Sequence, residues 1–289
     1  MTASELLGWD RLRHGGLLLD PQRLRRLAET TPPPPHFYVE RELRRQVSTV
    51  LDGSAELSQF VTFVLERVCN LSADHGIWVR GAQVGAEWSR SSITGEAIRP
   101  RQLWRAHTGG TLPVFFDAEP RIGIGRGRKR VSEVLQWLRA GPERLALLTN
   151  GRQWRLIFAG LDFDAYAEWD VDLWFEEGAL APQVSALRTL LAPALWTEPS
   201  KDAPAPLLQA ILDSRKGQAE LSAVLGERVR EAVELLVLAH NEPLTQRCAD
   251  VDPADIYRAA CRVVMRMVVV LFAESRELLP RDNAIYHSA

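Results

Sequence analysis

The sequence predicts an α/β fold, a mixed β-sheet flanked by helices, followed by an all-helical region. Three observations predict it. In Arg144–Phe158 two apolar runs, Leu145–Leu148 and Leu156–Phe158, flank Thr149-Asn150-Gly151-Arg152, where Asn-Gly supplies the positive backbone angles of a tight type I′ hairpin. A short strand ending at Asp117, a basic glycine-rich segment and an amphipathic helix precede that hairpin. After Pro199–Pro206 the strand patterns stop and helical periodicity takes over.

The elements follow in order. Residues 1–35 form an N-terminal extension: a short helix over Pro21–Glu29, then Thr30-Thr31 and four prolines, Pro32–Pro35, which make a stiff extended connector. Phe37–Asp52 reads as a charged helix with Val39 and Leu43 on one face. In Leu57–Leu71 the residues Phe60, Val61, Val64, Leu65 and Val68 keep the helical period, with Ser54 as its cap. Strands are expected at Ile77–Val79, Leu112–Phe116 and Arg121–Ile124. Between the first two, Ser89–Gly110 is rich in Gly, Ser, Thr and Arg and reads as a long surface loop. Trp78, Trp88 and Trp104 lie in or beside it, more readily as packing residues than as platforms for bases. Val131, Val134, Leu135 and Leu138 mark a short amphipathic helix. Beyond the hairpin, alternation over Tyr166–Trp174 predicts an outer strand with one carboxylate-bearing face.

The domain boundary is expected near residue 200, with 36–198 the α/β domain, 199–206 a linker and 207–289 helical. Leu207–Leu212, Leu221–His240 and Asp255–Ser275 carry the helical period. Val263–Phe272 is apolar nearly all round, the pattern of a helix central to a bundle or covered by another domain. Ala273–Asn283 reads as a helix end with a stop at Pro280, and Ala284–Ala289 bring no closing element, so the chain looks truncated.

Composition narrows the function. Apolar residues make up 46% of 289, enough for real cores, while a net charge of −2 gives no bulk attraction for nucleic acid. Any such binding must come from a local patch. Of the basic residues only Lys129, Lys201 and Lys216 are lysines; arginine forks suit phosphate, although the codon bias of a GC-rich genome produces the same excess. Cys69, Cys248 and Cys261 are widely spaced and unpaired, which suits a reducing cytosol. No secretory start is present, and the run Val263–Ala273, broken by Arg266, is far short of the roughly 20 residues a bilayer needs. A cytoplasmic location without a membrane partner is expected.

The order strand, Asp117, basic segment, helix, hairpin resembles the second half of a restriction-endonuclease-like core. A PD-(D/E)XK nuclease ends one strand on an acid and carries an acid-x-Lys triplet on the next, the carboxylates holding Mg²⁺ and the lysine orienting water. Asp117 stands where the first acid belongs, but Arg121–Arg126 (RIGIGR) holds neither carboxylate nor lysine, and Glu119 comes too early. The expectation is a degenerate scaffold with no metal site and no assigned catalytic residue, Asp117 and Glu119 being the only nuclease candidates. Arg121, Arg126, Arg128, Lys129 and Arg130 are the candidate phosphate contacts, interleaved with Gly123, Gly125 and Gly127. The alternative for them is an ordinary solvated loop. The G-x-G-x-G string is not read as a dinucleotide fingerprint, since no βαβ unit or distal acid is expected around it. Asp162, Asp164, Glu168, Asp170 and Asp172 read as a wet strand face, and the six histidines share no ligand spacing.

Two phrases, LLTNGRQWRLIFAG and LFAESRELLPRDNAIY, resemble the N-terminal part of large bacterial DNA adenine-N6 methyltransferases. These belong to type IIG restriction–modification enzymes and to BREX and DISARM phage-defence systems. Thr149, Asn150, Gly151 and Trp154 match the family's hairpin. Leu271, Phe272, Glu274, Arg276, Leu278, Leu279 and Pro280 resemble the end of its helical connector, with Glu274 one residue closer to Phe272 than the pattern has it. The likeness spans roughly residues 55–289. It implies a nuclease-like domain and a connector that precedes a methyltransferase core, with double-stranded DNA, that core or defence-complex subunits as partners. The core's S-adenosylmethionine motif and its Asn-Pro-Pro-Tyr-type motif, which receives a flipped adenine, are absent here, so no cofactor and no methyl transfer are expected of this chain. Two other readings stay open: a Mg²⁺-dependent endonuclease using Asp117 and Glu119 with Arg121 as a displaced cation, and a protein–protein docking module.

Overall fold

The computed structural model describes Glu5 and residues 7–200, 203–248 and 250–275. They fall into two compact units, residues 1–215 and 216–289.

The first unit is α/β. Its elements are β1 (Arg13–Gly15), α1 (Pro21–Ala28), α2 (Phe37–Leu51), α3 (Leu57–Phe63, continued by a π-helical turn over Val64–Val68), β2 (Gly76–Arg80), β3 (Arg90–Ser91) and β4 (Ala97–Ile98). Then come β5 (Gln102–Ala106), β6 (Gly109–Phe116), α4 (Gly127–Arg139), β7 (Leu145–Thr149), β8 (Gln153–Ala159), β9 (Asp164–Asp170), α5 (Pro182–Leu190) and α6 (Pro193–Trp196). Seven strands form one mixed sheet in the order β1-β9-β8-β7-β6-β5-β2. Every pair in it is antiparallel except β6 with β7, which α4 connects.

Side chains alternate across a strand, and here the alternation feeds two cores. Leu145, Leu147, Trp154, Leu156 and Phe158 point to a cluster shared with α1, α2, α3 and α5. Ala146, Leu148, Ile157 and Ala159 point the other way, onto Val134, Trp137 and Leu138 of α4. A sheet covered on both faces explains why β8 is buried at all seven positions, Gln153 and Arg155 included.

Several sequence expectations give way. Arg121–Ile124 is no strand: Gly123 and Gly125 adopt φ of +72° and +56°, left-handed angles that break extension, so the segment is a turn entering α4. Ser89–Gly110 is not one loop but holds β3, β4, β5 and the start of β6, because Leu103 and Trp104 bury themselves in the sheet. Trp104 is wholly buried, Trp88 stacks on Trp137, and Trp78 donates to Leu71 O, so all three take part in packing, as expected. Strand β9 is not an outer strand. The segment expected as an extension supplies β1 and α1, and β1 pairs with β9 to cover it. The Asn-Gly turn is not type I′, because Gly151 alone has positive φ (+87°). Asn150 works through its side chain, Oδ1 accepting from Arg152 N at 3.1 Å and Gln153 N at 2.7 Å. The cap of α3 is Glu56, not Ser54.

Helix α7 (Pro206–Ala239) begins at the expected linker end, but its first turns belong to the first unit: Leu207, Ile211 and Ser214 are fully buried there. The boundary therefore falls after Arg215, not near residue 200.

The second unit is helical. The rest of α7, α8 (Asn241–Arg247) and α9 (Pro253–Ser275) meet through Val229, Ala232, Val233, Leu236 and Val237 against Ala260, Cys261 and Val264. Among the described residues only Val233, Ala260 and Val264 of that cluster are buried. Leu235, Leu238, Val263, Met265, Met267 and Val269 lie exposed, the last at 62%. The apolar α9 is thus covered on one face and leaves its other apolar residues exposed. Arg276, Leu278, Leu279 and Pro280, with the expected proline stop, lie outside the described residues. No described helix is long and apolar enough to cross a membrane.

Candidate nucleic-acid interface

The chemistry-bearing residues gather at the C-terminal ends of β6 and β7, the sheet's one parallel pair. Ligands of open α/β sheets bind outside such strand ends. A β6–turn–α4–β7 unit thus does surround the glycine string, contrary to the sequence expectation.

Asp117 follows β6 directly and extends its pairing, its N–H donating to Thr149 O at 3.0 Å. It is 6% exposed; Oδ1 accepts from the Glu119 amide at 3.0 Å, while Oδ2 is buried without a hydrogen-bond partner. Burial pushes this carboxyl above its ordinary range, opposed by the Glu119 amide and then by the Arg130 charge. The strands on either side, β5 and β7, bring no carboxylate towards it. Among the described residues no three His, Cys, Asp or Glu side chains gather as a metal site would need.

A buried network fixes the turn. Asn150 Nδ2 donates to Glu119 O at 3.0 Å, and the Ile122 N–H donates to Gln153 Oε1 at 2.7 Å. Arg155 Nη2 donates to Ile122 O at 3.2 Å, and Arg155 is itself paired with Glu168 at 2.5 Å. The glycines serve this packing more than ligand approach. A Cβ on Gly123 would meet Arg155 Nη1 at 2.6 Å, and one on Gly127 would meet Arg121 O at 2.1 Å. Only Gly125 faces open space. The first amides of α4 are already spent: those of Gly127, Arg128 and Lys129 donate to the carbonyls of Ile124, Gly125 and Arg126. A dinucleotide phosphate would find no free amide there.

The five expected phosphate contacts divide in two. Arg130 is structural, its Nε donating to Phe116 O at 3.0 Å and its Nη1 to Glu133 at 2.8 Å. Lys129 is exposed but engaged by Glu96 at 3.1 Å and Glu133 at 3.7 Å. Arg121, Arg126 and Arg128 are exposed and make no ion pair or side-chain hydrogen bond among the described residues. Arg126 is the N-cap of α4 and Arg128 lies in its first turn, where the helix dipole repels cations and no acid is present. Unpaired cations held against a dipole are a local cost that a bound anion would remove.

Comparison with known proteins returns no family. No family model matches the chain, and no match is found among curated proteins or solved structures.

The acids of the next strand also read differently in place. Glu168 is buried against Arg155, not part of a wet face, while Asp172 pairs with Arg152 and Asp164 with Arg139. The signal for Glu168 was its register: it stands opposite Arg155 across β8 and β9.

Asp117 yields a pH prediction. A carboxyl whose folded pKa lies above its ordinary 3.8 stabilises the fold when protonated, and that contribution is lost as pH rises through the folded pKa. Asp117→Asn keeps an acceptor for the Glu119 amide without the charge. Its stability relative to the parent chain should therefore rise as pH climbs above the ordinary carboxyl range in urea unfolding. A difference independent of pH would mean the Asp117 charge is not under strain.

Proposed function

We propose that the first unit is a nuclease-like module that holds duplex DNA without cutting it. In the same reading the chain is the N-terminal region of a DNA adenine-N6 methyltransferase of a restriction–modification or phage-defence system. The observation that carries the DNA half is the trio Arg121, Arg126 and Arg128, unpaired and set around the α4 N-terminus against its dipole. Such arginines position a phosphate backbone without reading sequence.

The restriction-endonuclease-like reading draws support from the β6–α4–β7 unit, its following Thr-Asn-Gly hairpin and the helices on both sheet faces. The loss of cleavage draws support from Asp117, whose neighbouring strands offer no second acid and whose Oδ1 is bound to its own loop. The helical unit then serves as a connector whose exposed apolar residues dock the catalytic core. The β6–α4 turn offers S-adenosylmethionine no cradle, since its helix amides are spent and Arg155 closes on Gly123. The cofactor and the methyl transfer belong to that core.

The unpartnered Asp117 Oδ2 favours one second reading, Mg²⁺-dependent cleavage by Asp117 and Glu119 with Arg121. Gel shift on non-specific duplex at low and high salt, alongside incubation with Mg²⁺ or Mn²⁺ and an Asp117→Ala control, separates the possibilities. Salt-sensitive binding without cleavage is the expected result. Cleavage abolished by Asp117→Ala would establish the nuclease, and absence of any shift at low salt would leave a protein-docking module.

A further inference from the structure

Arg188, in the last turn of α5, lies on the sheet face away from α4 and is 8% exposed. Its Nε donates to Val68 O at 2.9 Å, Nη2 to Pro33 O at 2.6 Å and Nη1 to Pro32 O at 3.5 Å. All three acceptors are neutral, and no carboxylate pairs with it among the described residues. A guanidinium carries about five N–H donors, so two are left over. Cys69, the titratable group that interacts with it, supplies no charge, because burial pushes its thiol up to about 12. Burial likewise holds Arg188 below the ordinary arginine value. A buried cation without a counter-charge is costly and rare unless something anionic meets it.

Arg188 also lines an open groove of about 570 Å³, together with the Pro32–Pro35 strap and with Arg67, Asn70 and Ser72. Arg67 is exposed and unpaired. The groove's two acids are partly engaged, Glu66 by Arg80 and Asp74 by the Ser72 hydroxyl. Asn70 is the one described non-glycine residue with positive φ, +62°, at a helix end closed by the Leu71 N–H to Leu65 O bond. Glycine is the usual occupant of that position. Asparagine adds a side-chain amide at the groove wall that has no partner among the described residues.

We propose that this groove binds a compact phosphate dianion, either free or at the end of a monoester. Arg188 and Arg67 supply the charge, and the Asn70 amide a neutral donor. The site is separate from the turn at α4 and does not depend on the function proposed above. Its alternative is that Arg188 is only a clasp for the proline strap.

The test uses the full chain and inorganic phosphate in titration calorimetry. Arg67→Gln and Asn70→Gly leave the Arg188 clasp and the backbone angle of residue 70 intact, so folding without ligand should be unchanged. Saturable binding that Arg67→Gln weakens about tenfold supports the site. A 5′-phosphorylated oligonucleotide that competes, where its unphosphorylated twin does not, identifies the source as a nucleic-acid end; failure to compete identifies a free phosphate. The Arg121→Ala/Arg126→Ala/Arg128→Ala chain should bind phosphate normally. No saturable binding, or binding indifferent to both groove variants, overturns the proposal.

Discussion

Arg155→Leu should destabilise the first unit by about 3–5 kcal/mol, the range for breaking one side of a buried ion pair. Side-chain exposure is 5% for Arg155 and nil for Glu168, and two bonds join them, Nε and Nη2 to Oε2 at 2.7 and 2.5 Å. The guanidinium also stacks on Tyr166 at 4.0 Å and donates to Ile122 O. Leucine leaves Glu168 with Arg13 at 3.3 Å and Gln153 at 3.4 Å. Arg13, although half exposed, stays paired with Glu168 and leaves it partly compensated, so the lower half of the range is the expectation. Urea unfolding measures it. Replacing Glu168 as well, by leucine, should recover most of the loss, because removing both charges costs less than stranding one. A single-variant loss below about 1 kcal/mol would show that the pair is not holding the sheet to the turn.

That pair also shows where sequence reading stops. The apolar runs of β7 and β8 were legible because period and burial agree over several residues. The turn between them was not, since Thr149 Oγ1 accepts from Gly151 N and donates to Gln153 O, side-chain bonds that add to the backbone bond from Asn150 N to Gln153 O. Arg121-Ile-Gly-Ile imitates strand alternation, yet Ile124 is exposed and Ile122 is held by Gln153, a residue on another strand. Pairing of β1 with β9 joins residues more than 150 apart through polar Arg13 and His14, and no local pattern announces it. Of the candidate site, clustered charge made the arginines visible. Which of them are free was decided by Glu96, Glu133 and the Phe116 carbonyl, contacts that only the fold brings together. Arg188 carried no signal beyond a cation inside an apolar helix.

Removing Arg121, Arg126 and Arg128 together by alanine should weaken duplex binding by roughly 10²–10³-fold at about 0.1 M salt. The reasoning is counter-ion release: each phosphate contact contributes about 0.9 to the slope of log affinity against log salt, so the slope should fall by about 2–3. Lys129→Ala should change it far less, because Glu96 and Glu133 already neutralise that ammonium. Stability gives an independent readout of opposite sign. Cations at the α4 N-terminus oppose its dipole, and Arg121 and Arg126 make no compensating bond, so the triple variant should unfold at slightly higher urea while binding DNA worse. An ordinary solvated turn predicts the first change without the second. Gain of stability with an unaltered salt slope would therefore end the case for a DNA-holding turn, whatever the topology around it resembles.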